Sequence, residues 1–320
     1  MMLNNSIRYY SIAPMMGKTD SFFCFLMKNI NSKTSIYTEM MHSESILRTK
    51  ILDTYNLLND LSNITIQIAG NNPISMAKAA KKISTHGFSK ININCGCPSK
   101  NVLAGEFGLS LLTKPIIVRK CIEAIKSETN LDISVKTRIG IDNNEDDSIL
   151  DDFVNEISLA DVNKYIIHAR NGIIGKLNTK KNLSIPPLKY ERVFKLKKNF
   201  LNKEIIINGG FLNTLEFTKY KNIVDGIMIG REAYRNPWIF AKKNITNKEK
   251  INIVIKYLNG LKVFFRNKPF NKKSISHIHN IYNNNNGAKS WRKAVNYAVH
   301  NNDLHFLLNY INYNYLGKNV

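Results

Sequence analysis

At about 150 residues per domain, a chain of 320 residues allows one large domain and a smaller one, which excludes a minimal binding module. Apolar residues make up 43% and charged residues 22%, ordinary globular usage that excludes a disordered or collagen-like chain. Lys and Arg total 46 against 24 Asp and Glu, so the formal charge is +22 at pH 7 and a polyanionic partner is invited.

In chain order, short β-branched runs alternate with patterns of helical period, the signature of βα units. The expected strands are 7–15, 34–41, 64–69, 90–95, 132–138, 164–169, 204–208 and 224–229. The expected helices between them are 20–30, 43–58, 73–85, 115–128, 147–159, 190–200 and 214–220. Eight runs point to a closed (β/α)8 TIM barrel. The competing open, doubly wound sheet would place a GxGxxG turn after its first strand, and the sequence has none there.

Beyond Tyr234 the strand pattern stops. Segments 250–266 and 303–316 are helical by the spacing of Ile251, Val254, Leu258 and Leu261, then Leu304, Leu307, Leu308 and Ile311. The run 283–286 before Gly287 reads as a turn. After it, Trp291, Val295 and Ala298 share one helical face while Lys289, Arg292, Lys293, Asn296 and His300 lie on another. We therefore expect a barrel over 1–241 and a small, all-helical, basic domain over 242–320. The last 80 residues carry +12 and the first 240 only +10, an asymmetry that compositional drift would not produce and that favours contact with nucleic acid.

The four cysteines, at 24, 95, 97 and 121, form no CxxC pair and have no histidine at zinc-finger spacing. No metal site or disulfide framework is expected, and a reducing cytoplasmic setting fits. Arg8 interrupts the first apolar stretch and no run approaches the roughly 18 apolar residues of a membrane span. Neither export nor a membrane partner is expected.

In such a barrel the ligand sits where strands end. Those ends read Ala13-Pro14-Met15-Met16-Gly17, Gln67, Asn94-Cys95-Gly96-Cys97-Pro98, Lys136-Thr137-Arg138, His168-Ala169-Arg170, Asn208-Gly209-Gly210 and Gly230-Arg231. The last two, ending the seventh and eighth runs, suit a phosphate: glycine admits close backbone approach and arginine binds the anion bidentately. Lys136 would be costly to bury unless it meets an anion or an electron-rich ring, which flavin chemistry supplies, and Gln67 can hydrogen-bond the ring edge. Cys97, on a glycine-flanked loop, can donate a proton, whereas Cys95 reads as a small strand hydrophobe and Cys24 and Cys121 as helical core.

At these residues the chain resembles the tRNA-dihydrouridine synthases, most of all their DusA branch. The motifs are APMMGKTD at 13–20, NCGCPSKNVLAGEFG at 94–108, VKTRIG at 135–140, HARNG at 168–172, SIPPLKYERV at 184–193, NGG at 208–210 and GREAYRNPW at 230–238. The resemblance implies a flavin-binding TIM barrel with a helical C-terminal domain, an FMN cofactor reduced by NADPH or NADH, and tRNA as partner, with no obligate protein partner indicated. It implies hydride delivery to C6 of a D-loop uridine at position 20 or 20a and protonation of C5 by Cys97. The FMN contacts it implies are Pro14, Met15, Met16, Gln67, Lys136, His168, Asn208, Gly209, Gly210, Gly230 and Arg231. The tRNA contacts are Asn94, Lys180, Lys289 and Arg292. Leu183 and Lys289 depart from the branch pattern, which more often has arginine at both places; Lys289 keeps the charge but loses the planar fork. A barrel reductase of a small enone or pyrimidine would share the flavin motifs without needing the basic tail, and a tRNA-binding protein without catalysis would not need Cys97, Lys136 and His168.

Overall fold

The computed structural model describes residues 10–142, 146–175, 180–267, 271–283 and 287–315. Among the described residues nine parallel strands are present: β1 Tyr10–Ile12, β2 Ser35–Tyr37, β3 Met41–His42, β4 Ile64–Ala69, β5 Lys90–Cys95, β6 Asp132–Arg138, β7 Lys164–His168, β8 Glu204–Asn208 and β9 Gly226–Ile229. Eight of them run in the order β2-β1-β9-β8-β7-β6-β5-β4, and β2 pairs with β4 through Ile36 opposite Ile64, so the ring closes. The remaining strand, β3, pairs with the end of β4. This is the expected eight-stranded TIM barrel.

Side chains two apart on each strand point the same way, and the barrel's period is visible in what they meet. Tyr37, Ile166, Ile206 and Met228 form an apolar cluster with Ala13, separate from the larger core between sheet and helices. Two residues further along, β7 and β8 offer His168 and Asn208, and the register sets Asn94 opposite Lys136, Arg138 opposite His168, and His168 opposite Asn208. The polar positions therefore gather in one layer at the carboxyl ends of the strands.

Several expected boundaries shift for identifiable reasons. The first strand ends at Ile12 because Pro14 has no N–H to donate; residues 7–9 of that expected run lie outside the described ones. The run 34–41 divides into β2 and β3. The expected helix 43–58 breaks after Ser43–Arg48: Thr49 is extended, its hydroxyl donates back to the Ser45 carbonyl, and a 3-10 segment Ile51–Leu57 follows. The Lys82 ammonium caps the severed end, donating to the carbonyls of Ile46, Leu47 and Thr49 at 2.7, 3.3 and 2.9 Å. Segment Thr214–Lys219 is 3-10 rather than α.

The C-terminal region consists of helices Asn247–Phe264, Lys272–Ser276, Ala288–Asn301 and Leu304–Tyr315. Trp291, Val295 and Ala298 are fully buried, and the Trp291 indole donates to the Ile278 carbonyl at 2.8 Å. Lys289, Lys293, Asn296 and His300 are exposed, as their shared face requires, while Arg292 is half-buried. These helices dock on the barrel through Phe264 and Phe265, whose rings lie 5.9 and 5.5 Å from that of Phe22. Trp238 adds an indole hydrogen bond of 2.6 Å to the Ile281 carbonyl. Lys268, Leu316, Lys318 and most of the turn at 283–286 lie outside the described residues.

Candidate active site

A cavity of about 660 Å³ opens where the strands end, within the size range of small-molecule and cofactor sites. Pro14, Met15, Met16, Gln67, Asn94, Cys97, Lys136, His168, Lys180, Asn208, Gly209, Gly210, Gly230 and Arg231 all line it. The structure thus brings these fourteen residues together on one wall. Lys289 and Arg292 do not line it; they sit on the C-terminal helix Ala288–Asn301.

Gln67 is buried and held by its neighbours: its amide donates to Asn92 Oδ1 at 2.7 Å and its carbonyl accepts from Asn94 Nδ2 at 2.8 Å. One amide hydrogen and one lone pair remain for a ligand edge. Lys136 Nζ donates to Asn208 Oδ1 at 2.9 Å, and Asn208 Nδ2 donates on to the Met228 carbonyl. Burial, followed by the adjacent Arg138 charge, takes the Lys136 ammonium down to about 7. Its proton is therefore held loosely until an electron-rich partner arrives.

His168 is buried beside Arg138, Lys136, Arg170 and Arg231; burial first, then those charges, push its pKa well below the ordinary histidine value. The imidazole is neutral at pH 7 and offers one donor and one acceptor. Arg170 is scaffolding, with its guanidinium donating to the carbonyls of Ser184 and Pro186.

Gly209 and Gly210 have φ of +124° and +80°, and no side chain fits at either place. A Cβ on Gly209 would stand 2.9 Å from Leu188 and 3.0 Å from the His168 ring; one on Gly210 would stand 2.7 Å from Leu188. The Tyr190 hydroxyl, donating to the Gly209 carbonyl at 2.6 Å, fixes the turn. Arg231 is exposed at the rim and donates to the Leu183 carbonyl.

The loop carrying Cys97 is pinned from both sides through its backbone. Asn94 Oδ1 accepts from the N–H groups of Gly96 and Cys97 at 3.2 and 3.0 Å. The Cys97 carbonyl accepts from Leu109, and the Arg138 guanidinium donates to the Gly96 carbonyl at 2.9 Å. Gly108, at φ +61°, lets the chain pass so closely that a Cβ there would meet the Cys97 carbonyl at 2.8 Å. Of the four cysteines, Cys24, Cys95 and Cys121 are buried, and burial pushes the Cys121 thiol up to about 12. Cys97 is the cysteine that reaches the cavity.

Sequence reasoning missed Lys18, Met40, Phe211, Leu212, Glu232 and Arg235, which also line the cavity. Lys18 lay inside a motif already singled out; the signal was its position one residue after Gly17, whose φ of +70° turns the chain back. Burial and the charge of Arg231 both lower the Lys18 pKa, so two cations crowd one wall.

A buried amide, a lysine of weakened basicity, a neutral imidazole, a glycine turn beside arginine and a loop thiol share one cavity at the mouth of the barrel, a set suited to a phosphorylated ring cofactor. The dihydrouridine synthase family model matches residues 11–313, and the chain belongs to that family. It is 32% identical over 94% of its length to a tRNA-dihydrouridine(20/20a) synthase from Shewanella oneidensis, covering 94% of that relative. It is 32% identical over 91% to one from Synechocystis sp., covering 90% of it, and 30% identical over 93% to one from Pasteurella multocida, covering 94%. Among solved structures, a 2-naphthoyl-CoA reductase matches with a TM-score of 0.54 at 8% identity, which establishes likeness of fold. That match covers 72% of this chain, and the chain spans about half of that protein. The family's FMN fits these residues: the glycine turn lies on the cavity wall with Arg231, and the donor set suits both a phosphate and a ring that gains negative charge. No helix among the described residues is long and apolar enough to cross a membrane.

Proposed function

We propose that this chain reduces uridines of tRNA to 5,6-dihydrouridine, with Cys97 as the proton donor. The observation that carries the reading is the placement of that thiol on the cavity wall with Lys136, Gln67 and His168. FMN, once reduced by a nicotinamide dinucleotide, supplies the hydride that adds to C6 of the uracil ring. The chain's own part is to hold the ring and provide the proton. Gln67 and Lys136 would hydrogen-bond the flavin edge, Pro14, Met15 and Met16 would form one wall beside it, and His168, Asn208, Gly209, Gly210, Gly230 and Arg231 would hold the FMN phosphate.

As the C5–C6 π pair shifts to C5, Cys97 Sγ gives up its proton there, and solvent reprotonates the thiolate left behind. The target base must leave its stack to reach a recessed thiol. Asn94 and Lys180 meet the tRNA at the cavity, and Lys289 and Arg292 bind its phosphates from a C-terminal domain spanning 242–320. The relatives' name supports positions 20 and 20a of the D-loop as targets. Mass-spectrometric mapping of dihydrouridine in tRNA from cells with and without the gene tests activity and position together. Loss of the modification at 20 and 20a is expected; an unchanged map would reject the reading.

The basic tail favours tRNA over a small enone, and the salt dependence of binding measures it. Replacing Lys289 and Arg292 together by Gln should lower the slope of log affinity against log salt by about 2 while NADPH oxidation continues. An unchanged slope would remove that helix from the interface.

A further inference from the structure

We infer that Asp20, Lys273 and His277 form a positioning cluster through which the C-terminal helices hold the lip of the cofactor cavity, an inference that rests on the flavin reading of that cavity. The lip is the segment 14–19. Its conformation is tied locally by Met15 N–H donating to Thr19 Oγ1 at 2.8 Å, and by Gly17 N–H donating to Glu39 Oε2 at 2.6 Å. From it Met15, Met16 and Lys18 reach the cavity. Asp20 follows directly and caps helix Ser21–Ile30, Oδ1 accepting from the N–H groups of Phe22 and Phe23 at 3.1 and 3.0 Å.

Capping alone needs one acceptor, yet the carboxylate holds two further partners from the C-terminal region. Oδ2 lies 2.9 Å from Lys273 Nζ, and Oδ1 lies 2.9 Å from His277 Nε2, a close but off-line contact. Lys273 also stands 3.9 Å from Glu39 Oε1, on the residue that grips Gly17. Burial alone would raise the Asp20 carboxyl, but His277, the Phe23 N–H and Lys273 together bring it down to about 2, so it is a fixed anion.

The histidine continues the connection. Its side chain is wholly buried against the rings of Phe23 and Tyr234, each 5.8 Å away, with Nδ1 3.2 Å from the Tyr234 hydroxyl. Lys18 Nζ sits 4.9 Å from the centre of that tyrosine ring. A cavity-wall cation thus rests against an aromatic ring whose hydroxyl contacts His277. None of the three cluster residues lines the cavity, so they act through Lys18 and the lip.

The test uses the full-length holoprotein. Release of FMN on dilution is followed by the recovery of free-flavin fluorescence, alongside far-UV circular dichroism and melting. His277→Gln and Lys273→Met should release FMN about tenfold faster with native dichroism, and Lys273→Arg should restore the parent rate. In a Lys18→Met background, His277→Gln should change release less than twofold, because the contact with the ring has already gone. Unchanged release in both variants, or an equally large His277→Gln effect without Lys18, would overturn the inference. If His277→Gln fails to fold, Lys273→Met and its arginine rescue decide alone. A parent protein that holds no FMN overturns the flavin reading and this inference together; one that holds it while the variants behave like it overturns the inference only.

Discussion

Cys97→Ala is expected to keep bound FMN and tRNA affinity while forming dihydrouridine at least 100-fold more slowly, within the roughly 10²–10⁴ range of a lost general acid. The contacts that pin the loop explain why binding should survive. Asn94, Leu109 and Arg138 hold the backbone of Gly96 and Cys97, and none of those bonds passes through Sγ. Hydride addition without a matched proton leaves enolate character at C5, so the lost step is chemical rather than structural. Single-turnover reaction of the reduced enzyme with unmodified tRNA, read by mass spectrometry, measures it. Product forming at the parent rate would show that the proton comes from elsewhere. Cys97→Ser should also fall far below the parent, because a hydroxyl is a much weaker acid than a thiol.

The parts that were legible in the sequence and the parts that were not differ in the distance between interacting residues. Parallel strands buried on both faces read as continuous β-branched runs, so β4, β5, β6 and β8 match their expected bounds. Polar residues at or just beyond the carboxyl ends of the runs face the mouth, which is why Gln67, Cys97, Lys136, His168 and Gly209 could be named together. The helix 43–58 could not be ended correctly from its own residues, because Lys82 supplies the cap from another helix. The Lys18–Tyr234 and Asp20–His277 contacts were invisible for the same reason. The partners are more than 200 residues apart, and only barrel closure and docking of the C-terminal helices bring them together. The charge asymmetry, by contrast, is a property of composition and could be read without any pairing.

Lys136→Met should make the flavin-free protein more stable and its flavin affinity both weaker and insensitive to pH. An ordinary lysine loses its proton near 10.4, and Lys136 does so at about 7, so folding takes the ammonium into surroundings that disfavour it. The sign follows from proton counts. Between about 7 and 10.4 the unfolded chain binds the proton and the folded one does not, so this residue's cost, on the order of 4 kcal/mol below pH 7, fades as pH rises through that window. Methionine removes the cost, and the melting temperature of flavin-free protein at pH 7 should climb by several degrees. The ligand reverses the balance. A flavin edge that favours the ammonium must recruit a proton above pH 7, so parent affinity should fall by up to about tenfold per pH unit between 7 and 9. In Lys136→Met the profile should be flat, with affinity at pH 6 lower by roughly 10- to 100-fold for the lost charge-assisted hydrogen bond. The FMN phosphate titrates alike in both proteins and cancels in the comparison. Parallel pH profiles for parent and variant would show that Lys136 does not face the flavin, and with it the cation that answers the ring's gain of charge would have to be sought among Lys18, Arg138 and Arg231.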